Sequence, residues 1–218
     1  TEEYTVTFNA YGGFPTPDEQ HVKSGEKAVL PVAPTLKGYT FAFWYLGEDE
    51  QNATAYDFNT PVTENITLTA KWNINKYTVT FNSYGGSKVD PQVVEYGLYA
   101  QEPEEPTLKG FTFAYWYLDD ENEAYDFDTT PITEDITLTA KWEINKFKVT
   151  FDTDGGEPIP DDQFVEWGLF VEEPTTEPTK TGYTFDGWYL GEAEEPFSFD
   201  TAITSDITLT AKWKLNTY

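Results

Sequence analysis

The segment Tyr4-Thr-Val-Thr-Phe-Asn-Ala-Tyr-Gly-Gly13 returns as Tyr77-Thr-Val-Thr-Phe-Asn-Ser-Tyr-Gly-Gly86 and again as Phe147-Lys-Val-Thr-Phe-Asp-Thr-Asp-Gly-Gly156. Each copy closes on one phrase, Ile66-Thr-Leu-Thr-Ala-Lys-Trp72, repeated from Ile136 to Trp142 and from Ile207 to Trp213. Between opening and close lie Gly38 to Tyr45, Gly110 to Tyr117 and Gly182 to Tyr189. Self-similarity at about 70 residues points to several small cores rather than one large one. The units run 4–72, 77–142 and 147–213, with 73–76 and 143–146 as short linkers. Tyr218 follows Trp213 at the spacing that separates Trp72 from Tyr77, so 214–218 reads as the start of a fourth, truncated repeat. With Thr1 at the start and no Met anywhere, the chain is expected to be a piece of something longer.

The local signals are β. Tyr4, Val6 and Phe8 alternate with Thr5, Thr7 and Asn9, and Ile66, Leu68, Ala70 and Trp72 alternate with Thr67, Thr69 and Lys71. That period of two means one packed sheet face and one wet face. The Gly-Gly pairs at 12–13, 85–86 and 155–156 suit tight turns that need positive φ. A second strand is expected up to Val22, Val94 and Val165, and a third through Phe41-Ala-Phe-Trp-Tyr45 and its counterparts. The Pro-rich stretch from Gly25 to Gly38 is allowed one short helical segment, and 61–65 reads as a turn or single helical turn.

Composition narrows the function. The 218 residues carry 39 acidic and 13 basic side chains, all of the latter Lys, for a net charge of -26, with no Cys and one His. Disulfides, thiolate metal sites and thiol nucleophiles are excluded. A surface this acidic disfavours nucleic acid and anionic lipid, and no apolar run is long enough to span a membrane as a helix. The aromatic residues make up 17% of the chain, which argues for folded cores rather than disorder. A unit this small often needs a disulfide or metal, so Phe8, Phe41, Trp44, Phe58, Trp72 and their equivalents are expected to build the core instead.

These motifs together (strand plus Gly-Gly, Gly-Tyr-Thr-Phe-x-x-Trp-Tyr, Asp-Phe, Ile-Thr-Leu-Thr-Ala-Lys-Trp) resemble the internalin B-repeat family, also called the Listeria–Bacteroides repeat. The resemblance implies a mostly β (α+β) fold: a tandem array of three small β-grasp-like modules, each a mixed sheet crossed by one short helix. It also implies secreted or cell-wall-attached bacterial surface proteins, with roles in adhesion and spacing and no enzymatic activity. Repeats 1 and 2 depart from the pattern, with Phe43-Trp44 and Tyr115-Trp116 where repeat 3 has Gly187-Trp188, so local packing should differ there.

No catalytic residue, cofactor or metal site is expected. His21 has Val93 and Phe164 at its place in the other repeats, which reads as a surface strand residue. The acids are placed differently in each copy, while the apolar framework stays constant. Asp57-Phe58, Asp126-Phe127 and Phe199-Asp200 read as turns rather than catalytic carboxylates. Asp152-Thr-Asp154-Gly-Gly156 superficially resembles a calcium loop, but Asn9 and Asn82 stand at the first position elsewhere, favouring Asx turns.

The candidate binding residues are Tyr96, Tyr99, Trp167 and Phe170. A position that holds Ser24, Tyr96 or Trp167 by turns does not belong in the core, so its rings are either exposed, where they would stack on sugars or anchor proteins, or packed locally on the Pro-rich loop. The partners expected are thus a host protein or glycan, with the fragment itself monomeric. Apolar positions shift from even to odd numbers within 73–76, so a bend or bulge belongs at each joint. An elongated array with restricted joints follows.

Overall fold

The computed structural model describes residues 1–218, and the alternating segments are all strands. Repeat 1 holds β1 (Glu3–Asn9), β2 (Gln20–Lys23), β3 (Tyr39–Leu46) and β4 (Ile66–Ile74). Repeat 2 holds β5 (Lys76–Asn82), β6 (Gln92–Glu95), β7 (Phe111–Tyr117) and β8 (Ile136–Ile144). Repeat 3 holds β9 (Lys146–Asp152), β10 (Gln163–Glu166), β11 (Tyr183–Leu190) and β12 (Ile207–Leu215). The three sheets share one order: β2-β1-β4-β3, β6-β5-β8-β7 and β10-β9-β12-β11. In repeat 1 the opening and closing strands run parallel, Val6 opposite Ile66 and Phe8 opposite Leu68, with antiparallel β2 and β3 outside them. Repeat 3 repeats that register, Val149 opposite Ile207.

By contacts the chain divides into two compact units. One is Thr1–Phe81 with Asp90–Glu102 and Asp126–Leu138; the other is Asn82–Val89, Pro103–Tyr125 and Thr139–Tyr218. The link from repeat 1 to repeat 2 lies within the first, and that from repeat 2 to repeat 3 within the second.

Each core is built from rings against small residues. In repeat 1, Val6, Phe8, Trp44, Leu68, Ala70 and Trp72 are buried, with Phe41 and Phe58 partly buried against them. Repeat 3 buries Val149, Phe151, Trp188, Leu209 and Ala211 in the same way. Trp44 meets Phe8 edge-on at 5.1 Å, and Phe41 bridges Trp44 at 5.4 Å to Trp72 at 5.7 Å. Phe185 bridges Trp188 to Trp213, and Phe113 bridges Trp116 to Trp142. Such pairs contribute about 0.5–1.5 kcal/mol each beyond their burial, which offsets the missing disulfide.

The bridging Phe poses a geometric problem. Phe41 and Trp44 are three residues apart, so an unbroken strand would send them to opposite faces. A β-bulge between Phe41 and Phe43 resolves it: Phe41 lies opposite Trp72 and Trp44 opposite Ala70, three residues against two. The same irregularity recurs between Phe113 and Tyr115 and between Phe185 and Gly187. Gly187 adopts φ +118°, whereas Phe43 and Tyr115 stay at negative φ, so the bulge is made differently in repeat 3.

The Gly-Gly turns divide their labour. Tyr11 and Gly12 both take positive φ, 47° and 95°, and the turn closes by Gly13 N–H donating to the Ala10 carbonyl at 3.0 Å. Gly13 is needed for space: a Cβ there would sit 2.4 Å from the Trp72 ring. The Trp72 indole N–H donates to the Ala10 carbonyl at 2.9 Å, tying the closing strand to the opening turn. Trp142 and Trp213 do the same to Ser83 and Thr153. Asn9, Asn82 and Asp152 each accept the N–H two residues on, as expected of Asx turns.

One expectation is corrected. No helix forms, so the unit is all-β; the mixed sheet is present, but the α+β class and the β-grasp-like helix across it are not. The 25–38 segment is held instead as irregular chain with isolated bridges. Gln20 both donates to and accepts from the Val29 backbone, Lys27 bridges Pro61, and Pro31 and Pro34 remove the donors a helix would need. The four-residue linkers are themselves mostly strand. Asn73 and Ile74 complete β4 and Lys76 opens β5, which leaves Asn75 alone between them, and Asn145 likewise. The alternation slip expected in 73–76 falls at that single break.

Candidate functional site

Two of the four candidate binding residues are not where an exposed site needs them. Tyr96 and Trp167 are half-buried, each laid over a glycine of the preceding repeat. A Cβ on Gly38 would lie 2.1 Å from Tyr96 Cδ1, and one on Gly110 would lie 2.2 Å from Trp167 Cδ2. Trp167 also meets Phe111 at 6.5 Å between ring centroids. Of the two readings, packed or exposed, the rings are packed, but on the turn of the preceding repeat, which spacing within one repeat does not reveal.

Asn75 completes this joint. Its N–H donates to the Gly38 carbonyl at 2.9 Å and its carbonyl accepts the Tyr96 N–H at 2.8 Å. Its side-chain oxygen accepts the Thr40 hydroxyl at 2.6 Å. Asn145 repeats all three contacts with Gly110, Trp167 and Thr112. One residue thus bonds to both repeats it connects, while an aromatic ring closes over the glycine beside it. The recurring Asn and Gly carried the only sequence signal for this.

Tyr99 and Phe170 are exposed, at 51% and 55%, beside exposed Leu98 and Leu169. The backbone under each pair is held alike: the Ile132 N–H donates to Leu98, and that of Ile203 to Leu169, both at 2.8 Å. Repeat 1 has Glu26 and Lys27 at these positions, with Val62 donating to Glu26 in the same frame. In repeat 3 an open groove of about 830 Å³ includes Ile159, Phe164, Phe170, Asp161 and Glu172 along its walls. Apolar rings edged by carboxylates are suited to cationic or hydroxyl-rich ligands.

Reactive constellations are sparse. His21 is exposed on β2, with Glu19 at 3.3 Å and the Thr5 hydroxyl at 3.4 Å, and neither other repeat has a histidine. No three His, Cys, Asp or Glu side chains gather closely enough to hold a metal ion. At the calcium-like segment, Lys180 Nζ donates to the Asp154 carbonyl at 2.9 Å, putting a cation beside that loop. Asp57 and Asp126 cap their own turns, and Ser198 takes the equivalent place in repeat 3. The Thr129 hydroxyl, with the Asp128 N–H, holds the Asp126 carboxyl below the usual carboxylate range.

A family model described as the Listeria-Bacteroides repeat domain matches residues 4–71, 77–141 and 147–212. Two similar proteins come from Evansella cellulosilytica. One, provisionally described as a Gly-rich membrane protein, is 42% identical over 221 residues, covering 99% of this chain and 25% of the relative. The other, provisionally described as a membrane protein, is 41% identical over 219 residues, with 99% and 32% covered. Internalin H of Listeria monocytogenes is 35% identical over 168 residues, with 74% and 27% covered. The chain spans about a quarter to a third of the length of these relatives.

Proposed function

The chain belongs to the Listeria-Bacteroides repeat domain family, and from that membership we propose that it is a non-enzymatic spacer in a secreted or wall-attached bacterial surface protein. The observation that carries this reading is the division between recurring and varying residues. What recurs in all three repeats is spent on cores, turns and joints: Trp72, Gly13, Gly38 and Asn75 with their equivalents. Outside the strands' threonine face, much of what faces water changes from copy to copy, as Glu26-Lys27 against Leu98-Tyr99 does. A spacer needs its framework preserved and leaves its surface free.

The names of the relatives, two membrane proteins and an internalin, support a place at the cell surface. No helix of this chain is long and apolar enough to cross a membrane. Small-angle scattering tests the spacer directly. A compact globule of 218 residues would have a radius of gyration of about 17 Å; a spacer should exceed that clearly, and a value near it would overturn the reading.

The second reading is a direct contact with a host protein or glycan, favoured by the exposure of Tyr99 and Phe170. A glycan array and a host-protein pull-down with the full chain separate the two. Silence supports the spacer; capture that disappears in the Tyr99→Ser, Phe170→Ser double variant establishes the binding module.

A further inference from the structure

We propose that the turn at Gly182 is a socket for one aromatic side chain of a further repeat of this family, supplied from the position that Tyr96 and Trp167 occupy. We further propose that this one residue sets whether a joint between repeats is clamped or loose.

Gly38, Gly110 and Gly182 share one conformation, with φ +84°, +85° and +83°. The turn before each closes identically, Tyr39, Phe111 and Tyr183 donating to Leu36, Leu108 and Lys180 at 3.0 Å. At the first two, a ring of the following repeat fills the space where a side chain would stand; at Gly182 nothing lies within 4 Å of it. The rest of the third joint is already assembled. Asn216 donates to the Gly182 carbonyl at 2.9 Å and accepts the Thr184 hydroxyl at 2.6 Å, as Asn75 and Asn145 do at theirs. Leu215 is exposed at 68%, while its equivalents Ile74 and Ile144 are half-buried. The same surface that two following repeats cover is therefore formed and open at this end.

The occupant follows from the chemistry of the two filled sockets. A flat ring lies against a glycine whose missing Cβ makes room for it, and the backbone N–H of the ring-bearing residue bonds to the joint asparagine's carbonyl. Tyr and Trp both satisfy this. Serine satisfies only half: Ser24 N–H still donates to the Glu2 carbonyl at 2.8 Å, with no ring to add. A repeat with serine there keeps the backbone bond and loses the clamp. Full burial of such a ring would remove about 150–250 Å² from water; the half-buried rings here remove part of that, and this contact is what restrains the swing of two small units.

The test extends the full chain in register, placing a second copy of residues 146–216 after Asn216, with either Trp or Ser at the position equivalent to Trp167. In the Trp version the Gly182 Hα resonance should move upfield by the ring current, and the appended Trp amide should exchange slowly. In the Ser version Gly182 should stay where it is in the unextended chain. Equal Gly182 shifts in the two versions would overturn the proposal. A second arm needs no extension: Tyr96→Ser should return the Gly38 Hα to the position of Gly182, and Ser24 shows that serine is accepted at that backbone site. A Gly38 resonance unmoved by Tyr96→Ser would overturn the proposal equally.

Discussion

Gly38 and Gly182 have the same backbone angle and differ in what lies over them. An L side chain in the left-handed region costs about 1–2 kcal/mol at either site. Only at Gly38 does the added Cβ also run into a ring, at 2.1 Å from Tyr96. In chemical denaturation Gly38→Ala should therefore lose a further ~1–3 kcal/mol relative to Gly182→Ala, the scale of overpacking; equal losses would mean that the ring is not seated. Asp126 supplies a pH prediction at the same scale. Its folded pKa is held down mainly by the Thr129 hydroxyl. Its contribution to the turn is thus complete above the ordinary Asp value of about 3.9 and fades as pH falls through the lower folded value. Replacing Thr129 with Val should move the Asp126 titration, followed by carboxyl carbon shifts, up toward the ordinary value. No movement would show that the hydroxyl is not the cause. The recurrence of these glycines and acids is visible in the chain; that Gly38 receives a ring is not, because the ring belongs to the next repeat.

Among elements, the strands were legible and the connections were not. Alternation over Tyr4–Phe8 and Ile66–Trp72 identifies β1 and β4 directly. The bulge in β3 was also encoded, in the odd spacing of Phe41 and Trp44, but it becomes a requirement only once both rings are known to face one core. The Pro-rich loop is not legible because its stabiliser is a side chain on another element. Gln92 brackets the Gln101 backbone as donor at 2.7 Å and acceptor at 2.9 Å, and Gln163 brackets Glu172 in the same way. This latch fastens the loop to the short edge strand β6. Gln92→Ala should accelerate hydrogen exchange at the Gln101 amide while leaving the β5 amides protected. Unchanged exchange at Gln101 would show that the latch contributes nothing.

At the scale of the whole molecule, negative charge outweighs every other surface property. Repeat 1 has 8 acidic residues and 4 Lys, repeat 2 has 13 and 3, and repeat 3 has 15 and 3, so their net charges are -4, -10 and -12. With so few Lys, most of the acids have no cation to meet. Lys71 meets Glu50 at 3.3 Å and Lys214 meets Asp186 at 3.1 Å, both at the surface, where such pairs contribute little. Like-charge repulsion opposes the folded state and is screened within about 8–10 Å at moderate salt. The thermal midpoint should therefore rise with added sodium chloride, and a salt-independent midpoint would show that self-repulsion is negligible. The same field discourages neighbouring chains from associating, which suits the spacer reading.

Sequence alone determined the number of repeats, the strands, the ring-rich cores and the exclusion of thiol chemistry, because each of these depends on order and composition within one unit. Tertiary structure alone decided the absence of a helix, the fate of Tyr96 and Trp167, and the reduction of each linker to one asparagine. Those outcomes depend on which surfaces meet, and a contact between a ring and a glycine in different repeats leaves no periodic trace in either one.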